Sequence, residues 1–273
     1  MIAFYAMGGG LGHLNRVRAF IHTYGIKCPF KIITSNQAVF RFFTKEQVLF
    51  IESDKQTTRD KLAQKIHDVT CDLAFNHLYV DAFPGGILGE LSEELIQSER
   101  RHYLARRLIW KNYQPVLDGE ITFNTIYCFE PLEVDHQAFI QNYGKQIIDV
   151  SLDFSFLRSN KLPPTKKLTQ PLWLIVHSTH AEELKLLVDH AQDIAKMEQV
   201  WPDFVILSDV SLPLPDSIEL LMNENPMDWY PLAERIFTGG GFNTWYQLQP
   251  WRNKHMALPF KRKFDDQFWR VGL

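Results

Sequence analysis

Cysteine is scarce in this sequence. Only Cys28, Cys71 and Cys128 occur among 273 residues, and no two of them form a CxxC motif. An odd, sparse set argues against a disulfide framework and indicates reduced thiols in a cytoplasmic protein. The N-terminus also lacks a basic region followed by a long apolar stretch, so we expect no signal peptide.

Other absences narrow the class of protein further. No apolar run approaches the ~20 residues that span a bilayer, and we find no internal repeat or low-complexity tract. The net charge of -3 gives no reason to expect nucleic-acid binding. No histidine has metal-ligand spacing with a nearby acid, so we expect no metal. With 45% hydrophobic and 13% aromatic residues, the chain can bury one large core or two modest ones.

The first half of the chain alternates between strand and helix patterns. A short apolar run, Ile2–Met7, is closed by glycines, and an apolar face at helical spacing follows at Val17, Phe20 and Tyr24. Further strands are predicted at Lys31–Thr34, Val48–Ile51, Leu73–Val80, Ile121–Phe129 and Gln146–Val150, with helices at Arg59–Val69 and Glu99–Tyr113. Such alternation is typical of a mainly parallel sheet covered on both faces.

A proline- and lysine-rich stretch, "NKLPPTKKLTQP", separates this half from a second alternating unit. That unit has strand patterns at Leu172–Val176, Phe204–Leu207, Ile236–Thr238 and Met256–Pro259, and a helical face at Leu184, Leu187, Val188, Ala191 and Ile194. We therefore predict an α/β protein of two Rossmann-like, doubly wound domains facing a cleft. The predicted domains are residues 1–160 and 172–273, joined by a linker at 161–171.

The segment "GGGLGHLNR" lies where the first strand gives way to the first helix. Gly10 and Gly12 allow the backbone to approach a ligand closely, and the N–H groups at a helix start favour an anion. His13 would stand on this loop or in the first turn of the helix and point into the cleft, although a solvent-exposed histidine on a tight turn has the same pattern. Asp81, at the end of another strand, either faces the cleft or caps a helix.

A second glycine turn, "TGGGFNT", repeats this arrangement in the second domain. Asn243 and Thr244 add side-chain donors to the backbone N–H groups of the turn, unless one of them merely caps the helix. Asp266 and Gln267 follow the last strand at the carboxyl edge, where an acid–amide pair can bind sugar hydroxyls. The alternative for that pair is a helix cap and an exposed first turn.

These motifs together resemble the nucleotide-sugar site of GT-B-fold glycosyltransferases. The C-terminal part of the sequence is similar to that family pattern, because it has "GGFNT", then an apolar strand ending in proline, and then "DQ". The segment "GLGH" resembles the N-terminal loop of the same family. "VDAFPGGILGEL" is similar to bacterial predicted glycosyltransferases related to the peptidoglycan N-acetylglucosaminyl transferase. The resemblance implies that the donor diphosphate is held by Gly240, Gly241, Asn243 and Thr244, the donor sugar by Asp266 and Gln267, and that His13 is the catalytic base. Gln247 stands where many relatives carry the glutamate that binds the ribose.

The function implied is an inverting glycosyltransferase that moves a sugar from a nucleotide sugar, in particular a UDP sugar, to a saccharide or lipid-linked hydroxyl. The nucleotide sugar is a substrate, and no cofactor is expected. The chain ends soon after the "DQ" helix begins, so the second domain is expected to be short. One alternative is a nucleotide-sugar hydrolase like that of pseudaminic-acid synthesis, and another is a non-catalytic nucleotide-sugar-binding or partner subunit. The basic, aromatic segment Glu99–Tyr113 either contacts the inner face of a membrane peripherally or packs its apolar side and solvates its arginines.

Overall fold

The computed structural model describes residues 1–159, 169–178, 180–215 and 218–273. The described chain forms two units, each with its own sheet. The first unit comprises Met1–Asp153 with Lys263–Asp265, and the second comprises Phe154–Arg262 with Asp266–Leu273. Most of the predicted linker, residues 161–168, lies outside the described residues, so the predicted domain limits remain predictions.

The first unit is built on a seven-stranded parallel sheet with the order β3-β2-β1-β4-β5-β6-β7. Its strands are β1 Ile2–Tyr5, β2 Phe30–Thr34, β3 Val48–Phe50, β4 Phe75–Asp81, β5 Ser98–Ala105, β6 Thr125–Cys128 and β7 Ile147–Asp149. The chain winds outward from β1 to β3, then returns to place β4 on the other side of β1. This reversal makes the gap between the carboxyl ends of β1 and β4 the topological switch point, where ligands bind in open α/β sheets.

Four helices accompany this sheet: α1 Leu11–Thr23, α2 Arg59–Thr70, α3 Trp110–Tyr113 and α4 Val134–Tyr143. α1 buries Leu14, Val17 and Phe20, as its apolar periodicity predicts. On the core side, Leu62 and Ile66 of α2 pack in one cluster with apolar side chains of the sheet. The predicted strands and α2 are therefore found within a few residues of their expected limits.

The predicted helix over Glu99–Tyr113 is wrong. Residues 98–105 form β5, which pairs in parallel with both β4 and β6, and only Trp110–Tyr113 is an α-helix. The last four residues of β5, His102 to Ala105, are all buried. A central strand covered on both faces lacks the alternation that separates a strand from a helix in sequence. Pairing with two neighbouring strands therefore decides the conformation of this segment.

The second unit has a smaller parallel sheet of five strands in the order β10-β9-β8-β11-β12. The strands are β8 Leu172–Val176, β9 Asp203–Leu207, β10 Ile218–Leu221, β11 Arg235–Gly239 and β12 His255–Leu258, and the helices are α5 Ala181–Glu198, α6 Pro226–Trp229, α7 Phe242–Gln247 and α8 Gln267–Val271. The sequence analysis did not identify β10. α5 buries Leu184, Leu187, Val188 and Ala191 as expected. The predicted α/β class with two doubly wound sheets is confirmed.

Candidate functional site

The first glycine loop joins β1 to α1 at the switch point of the first sheet. Gly10 is the N-cap residue of α1 in an extended conformation, with φ −123° and ψ 173°, and no side chain caps the helix. The Gly10 carbonyl accepts a hydrogen bond of 3.0 Å from the Asn36 side chain, which lies just beyond β2. Gly12 and His13 lie in the first turn of α1, which is one of the two positions predicted for this histidine.

His13 is held by Asp81, the last residue of β4. The distance from His13 Nδ1 to Asp81 Oδ2 is 2.6 Å, and the Asp81 side chain is fully buried whereas 12% of the His13 side chain is exposed. Because a carboxylate only accepts, Nδ1 carries the hydrogen and Nε2 of the neutral ring keeps its lone pair. Nε2 forms no hydrogen bond within the described part of the chain. This tautomer is the one that a general base requires.

Arg16, one turn further along α1, binds the same carboxylate. Its Nε donates to Asp81 Oδ1 at 2.6 Å and its Nη2 donates to Asp81 Oδ2 at 2.7 Å. The sequence analysis considered Asp81 as either a cleft residue or a helix cap, and did not identify Arg16. The signal available was its position three residues after His13, which places both side chains on one face of a helix.

Burial and charge act in opposite directions on the two titrating groups of this cluster. Burial lowers the pKa of His13 below its ordinary value of 6.5, although Asp81 partly offsets this effect. Burial alone would raise the pKa of the Asp81 carboxyl, but the Arg16 charge and the hydrogen bond from His13 outweigh it and hold that pKa below the usual value. At neutral pH the cluster therefore contains a neutral imidazole beside an ionised carboxylate.

The segment after Asp81 forms a wall beside the imidazole. Ala82 has a positive φ of 64°, and the ring of Phe83 then lies 5.5 Å from the ring of His13. Tyr113 fixes the loop further along, because its hydroxyl accepts from Gly85 N at 3.0 Å and donates to Gly86 O at 2.8 Å. The loop is thus a packed structure that places an apolar ring against one side of the proposed base.

The second glycine turn joins β11 to α7 in the second unit, with Gly239 as the last strand residue and Gly241 as the N-cap of the helix. Asn243 and Thr244 lie in the first turn of α7, and the N-cap position itself has no side chain. Apart from its two chain neighbours, none of the described residues lies within 4 Å of the position that a Cβ atom would take on Gly241. Space for a ligand therefore exists beside this glycine.

Gly240 has a different environment, because α8 packs directly on it. A Cβ atom on Gly240 would be 2.9 Å from Val271 Cγ2 and 3.3 Å from both Cβ and the carbonyl oxygen of Gln267. The buried Arg270 donates to the Gly240 carbonyl at 2.7 Å. The structure thus brings the predicted diphosphate turn and the predicted sugar pair into contact, and it gives Gly240 a packing role of its own.

Both members of the predicted sugar pair also make structural contacts. Asp266 is the N-cap of α8 and accepts from Trp269 N at 3.2 Å. Gln267 is buried, and its Oε1 accepts from Phe260 N at 3.0 Å, which uses the acceptor half of the amide. The predicted ribose residue Gln247 is the last residue of α7. These three positions lie in the same unit as the glycine turn.

A charged cluster lies at the carboxyl edge of the second sheet. Arg262, beyond β12, donates from both terminal nitrogens to Glu183 at 2.5 Å, and His177, beyond β8, lies 2.9 Å from the same carboxylate. Burial lowers the pKa of His177, and Glu183 partly offsets this effect. The cluster therefore couples the ends of two strands that flank the glycine turn.

Among the described residues, no group of three or more His, Cys, Asp or Glu side chains is arranged to hold a metal ion. Within the same residues, no helix is both long and apolar enough to cross a bilayer.

The chain is similar in structure to several solved proteins. The glycotransferase of kitacinnamycin matches 99% of this chain and 83% of its own length, with a TM-score of 0.58 and 11% sequence identity. Phytolacca americana UGT2, solved with UDP-2fluoro-glucose and pterostilbene, matches 99% and 81% with a TM-score of 0.56 and 11% identity. A protein from Listeria monocytogenes described as a UDP-N-acetylglucosamine 2-epimerase matches 87% and 74% with a TM-score of 0.52 and 10% identity.

No protein-family model and no curated protein sequence matches this chain. At identities this low, the structural likenesses show the fold alone. The chain has the GT-B fold, as the sequence motifs indicated.

Proposed function

We propose that this protein is an inverting glycosyltransferase that transfers a sugar from a nucleotide sugar, UDP-linked in our proposal, to the hydroxyl of a saccharide or lipid-linked acceptor. The observation that carries the proposal is the His13–Asp81 pair at the switch point of a GT-B sheet. Its 2.6 Å hydrogen bond leaves Nε2 as a proton acceptor beside a glycine loop. A buried carboxylate that orients an imidazole is the arrangement expected of a general base.

In the proposed reaction, Nε2 of His13 takes the proton of the acceptor hydroxyl as its oxygen attacks the anomeric carbon of the donor. The bond from that carbon to the diphosphate oxygen breaks, and the nucleoside diphosphate leaves with the electron pair. Attack from the face opposite the leaving group inverts the configuration of the sugar. Asp81 stabilises the imidazolium that forms, and holds Nδ1–H in place throughout.

For the donor, we propose the same binding residues in the second unit that the sequence motifs indicated. We assign the donor diphosphate to the turn formed by Gly240, Gly241, Asn243 and Thr244, the donor sugar to Asp266 and Gln267, and the ribose to Gln247. The open space at Gly241 supports the first assignment. The donor half of the Gln267 amide, which binds none of the described residues, supports the second, since a sugar hydroxyl can accept from it.

A thermal-shift panel of UDP, GDP, CMP and dTDP sugars tests donor binding. A ligand present at 100 times its dissociation constant should stabilise the fold by about 2.7 kcal/mol. Turnover of the best donor is then measured with and without candidate acceptors, which separates transfer from hydrolysis, the reaction in which water replaces the acceptor. His13→Ala should reduce turnover by about 10²–10⁴-fold and leave donor affinity nearly unchanged.

Three results would contradict the proposal. Cleavage of the donor at the same rate with and without every acceptor would indicate a hydrolase. Donor binding with no turnover would indicate a binding or partner subunit. Full turnover in His13→Ala would remove the base assignment and leave His13 as a structural residue of the first turn of α1.

A further inference from the structure

The Arg16 side chain is an unusual element of the first unit, because a guanidinium group is buried on the inner side of α1. Only 2% of the residue is exposed. It binds both oxygens of Asp81, through Nε at 2.6 Å and Nη2 at 2.7 Å. This two-point contact fixes the plane of the carboxylate as well as its position, which a single hydrogen bond would not do.

Arg16 also lies close to the imidazole that the oriented Asp81 carboxylate binds. Arg16 Nη2 lies 3.4 Å from His13 Nδ1, and both atoms approach Asp81 Oδ2. Arg16 Nη2 could donate to Nδ1 only if Nδ1 had no hydrogen, but the much shorter 2.6 Å contact is to a carboxylate oxygen that only accepts, so Nδ1 donates its hydrogen to Asp81. The flipped tautomer would leave the lone pair of Nδ1 against an ionised oxygen.

Asp81 also depends on Arg16 for its charge. The carboxylate is completely buried, and an isolated buried carboxylate is strongly disfavoured relative to its protonated form. A protonated Asp81 would carry a hydrogen that competes with Nδ1–H, and the imidazole would lose the partner that defines its tautomer. Arg16 therefore acts on His13 indirectly, through the charge and the orientation of Asp81.

We propose that Arg16 is the positioning residue of the base: it holds Asp81 ionised and oriented, so that His13 keeps its hydrogen on Nδ1 and presents the lone pair of Nε2. The catalytic use of that lone pair rests on the proposed function, whereas the tautomer and its dependence on Arg16 do not. Arg16 itself touches no reacting atom.

The charges that face His13 determine the sign of the expected effect. Asp81 at the end of β4 raises the pKa of the imidazole, while Arg16 on α1 and Arg106, just beyond β5, lower it. Loss of the Arg16 charge should therefore move proton uptake by the His13–Asp81 pair to higher pH. Removal of one charge partner at this range shifts a pKa by about one pH unit or more.

The experiment is a pH titration of ¹⁵N-histidine-labelled protein by long-range ¹H–¹⁵N NMR, with the His13 signals assigned from their loss in His13→Gln. Wild-type protein should show the Nδ1–H tautomer. Arg16→Gln should move the titration upward by about one pH unit and mix the tautomers. Arg16→Lys keeps the positive charge but cannot make the two-point contact with Asp81. Its titration should therefore shift upward by less than that of Arg16→Gln, and this variant can be measured even if Arg16→Gln does not fold.

The matched control is Arg18→Gln, an arginine on the same helix whose guanidinium lies over the Phe42 ring at 4.1 Å. It should titrate like the wild type. An unchanged tautomer and titration in either foldable Arg16 variant would overturn the proposal, as would an Nε2–H tautomer in the wild type.

Kinetic measurements then separate the positioning role of Arg16 from the proposed transferase function. If the protein is a transferase, the acid limb of kcat/KM should move upward in the Arg16 variants by the same amount as the NMR titration. A wild-type protein that shows the expected NMR behaviour but no turnover would contradict the proposed function alone. Turnover with an unshifted acid limb in Arg16→Lys would contradict the positioning role alone.

Discussion

The imidazole of His13 lies directly against the backbone of Gly8. A Cβ atom on Gly8 would be 2.3 Å from Cδ2 and 2.4 Å from Nε2 of that ring, and the backbone of Gly8 has a φ of +157°. The ring therefore occupies space that any side chain on residue 8 would take. The first glycine of the loop is needed for the placement of the histidine, in addition to any role in binding an anion.

Gly8→Ala should displace the His13 ring and reduce turnover to about the level of a missing base, 10²–10⁴-fold below the wild type. Gly9→Ala is the matched control, because a Cβ atom there would meet none of the described residues within 4 Å, its chain neighbours aside. Steady-state turnover and the His13 NMR signals of both variants provide the measurement. Wild-type turnover with undisturbed His13 signals in Gly8→Ala would show that the close approach has no functional consequence.

Gly240 and Gly241 form a second matched pair, since one is packed and the other is open. Gly240→Ala should lower the melting temperature in the absence of ligand, because the new methyl group meets Val271 Cγ2 at 2.9 Å. Gly241→Val should keep the melting temperature and lose nucleotide affinity, since its backbone, with φ −65° and ψ 144°, suits any residue. Calorimetric titration with free nucleotide checks this expectation. Equal affinity of Gly241→Val and wild type would remove the diphosphate assignment.

Gln267 should affect both stability and sugar binding. Gln267→Ala leaves the buried N–H of Phe260 without its 3.0 Å acceptor, which costs about 1–3 kcal/mol in the free energy of unfolding. It also removes the amide donor proposed for the sugar, so the affinity for the nucleotide sugar should fall while that for the free nucleotide stays. Urea unfolding and calorimetry measure the two effects separately. A parallel loss for both ligands would indicate that Gln267 has a structural role only.

Because of His136, we expect the stability of the first unit to fall at acid pH. It is fully buried and stacks on Trp110 at 4.1 Å, and burial lowers its pKa to about 3. The Tyr103 hydroxyl donates to Ala82 O, so it accepts from His136 Nε2–H, and Nδ1 has no hydrogen-bond partner among the described residues. The folded state therefore resists protonation of this ring.

The unfolded chain binds the proton near pH 6.5 and the folded chain only near pH 3, so stability is present above about pH 6.5 and is lost as the pH falls towards 3. One such histidine contributes a slope of up to about 1.4 kcal/mol per pH unit. His136→Phe should flatten this slope and leave stability near pH 7 almost unchanged. Urea unfolding between pH 7 and 5 measures it, with the exposed His67→Gln as control. An unaltered slope in His136→Phe would refute the assignment.

Local sequence patterns predicted most of the architecture because they depend on short-range periodicity. The alternation of apolar runs with helical faces identified most strands of both sheets and the helices α1, α2 and α5. It failed over Glu99–Tyr113, where a strand buried between two neighbours has no alternation to read. It also missed β10, a strand of only four residues, Ile218–Leu221, at the edge of the smaller sheet.

The candidate site, like the fold, could be predicted only in part from the sequence. The sequence by itself determined that a histidine follows a glycine loop at a strand–helix junction, and that a glycine turn and an acid–amide pair lie near the end of the chain. Only the tertiary structure decided that His13 binds Asp81, which is 68 residues away, and that Arg16 binds the same carboxylate. Likewise, only the packing of α8 showed that Gly240 contacts Gln267. Loop and helix signals are encoded within a few neighbouring residues, whereas the partner of a buried charge depends on which strands lie side by side in the folded sheet.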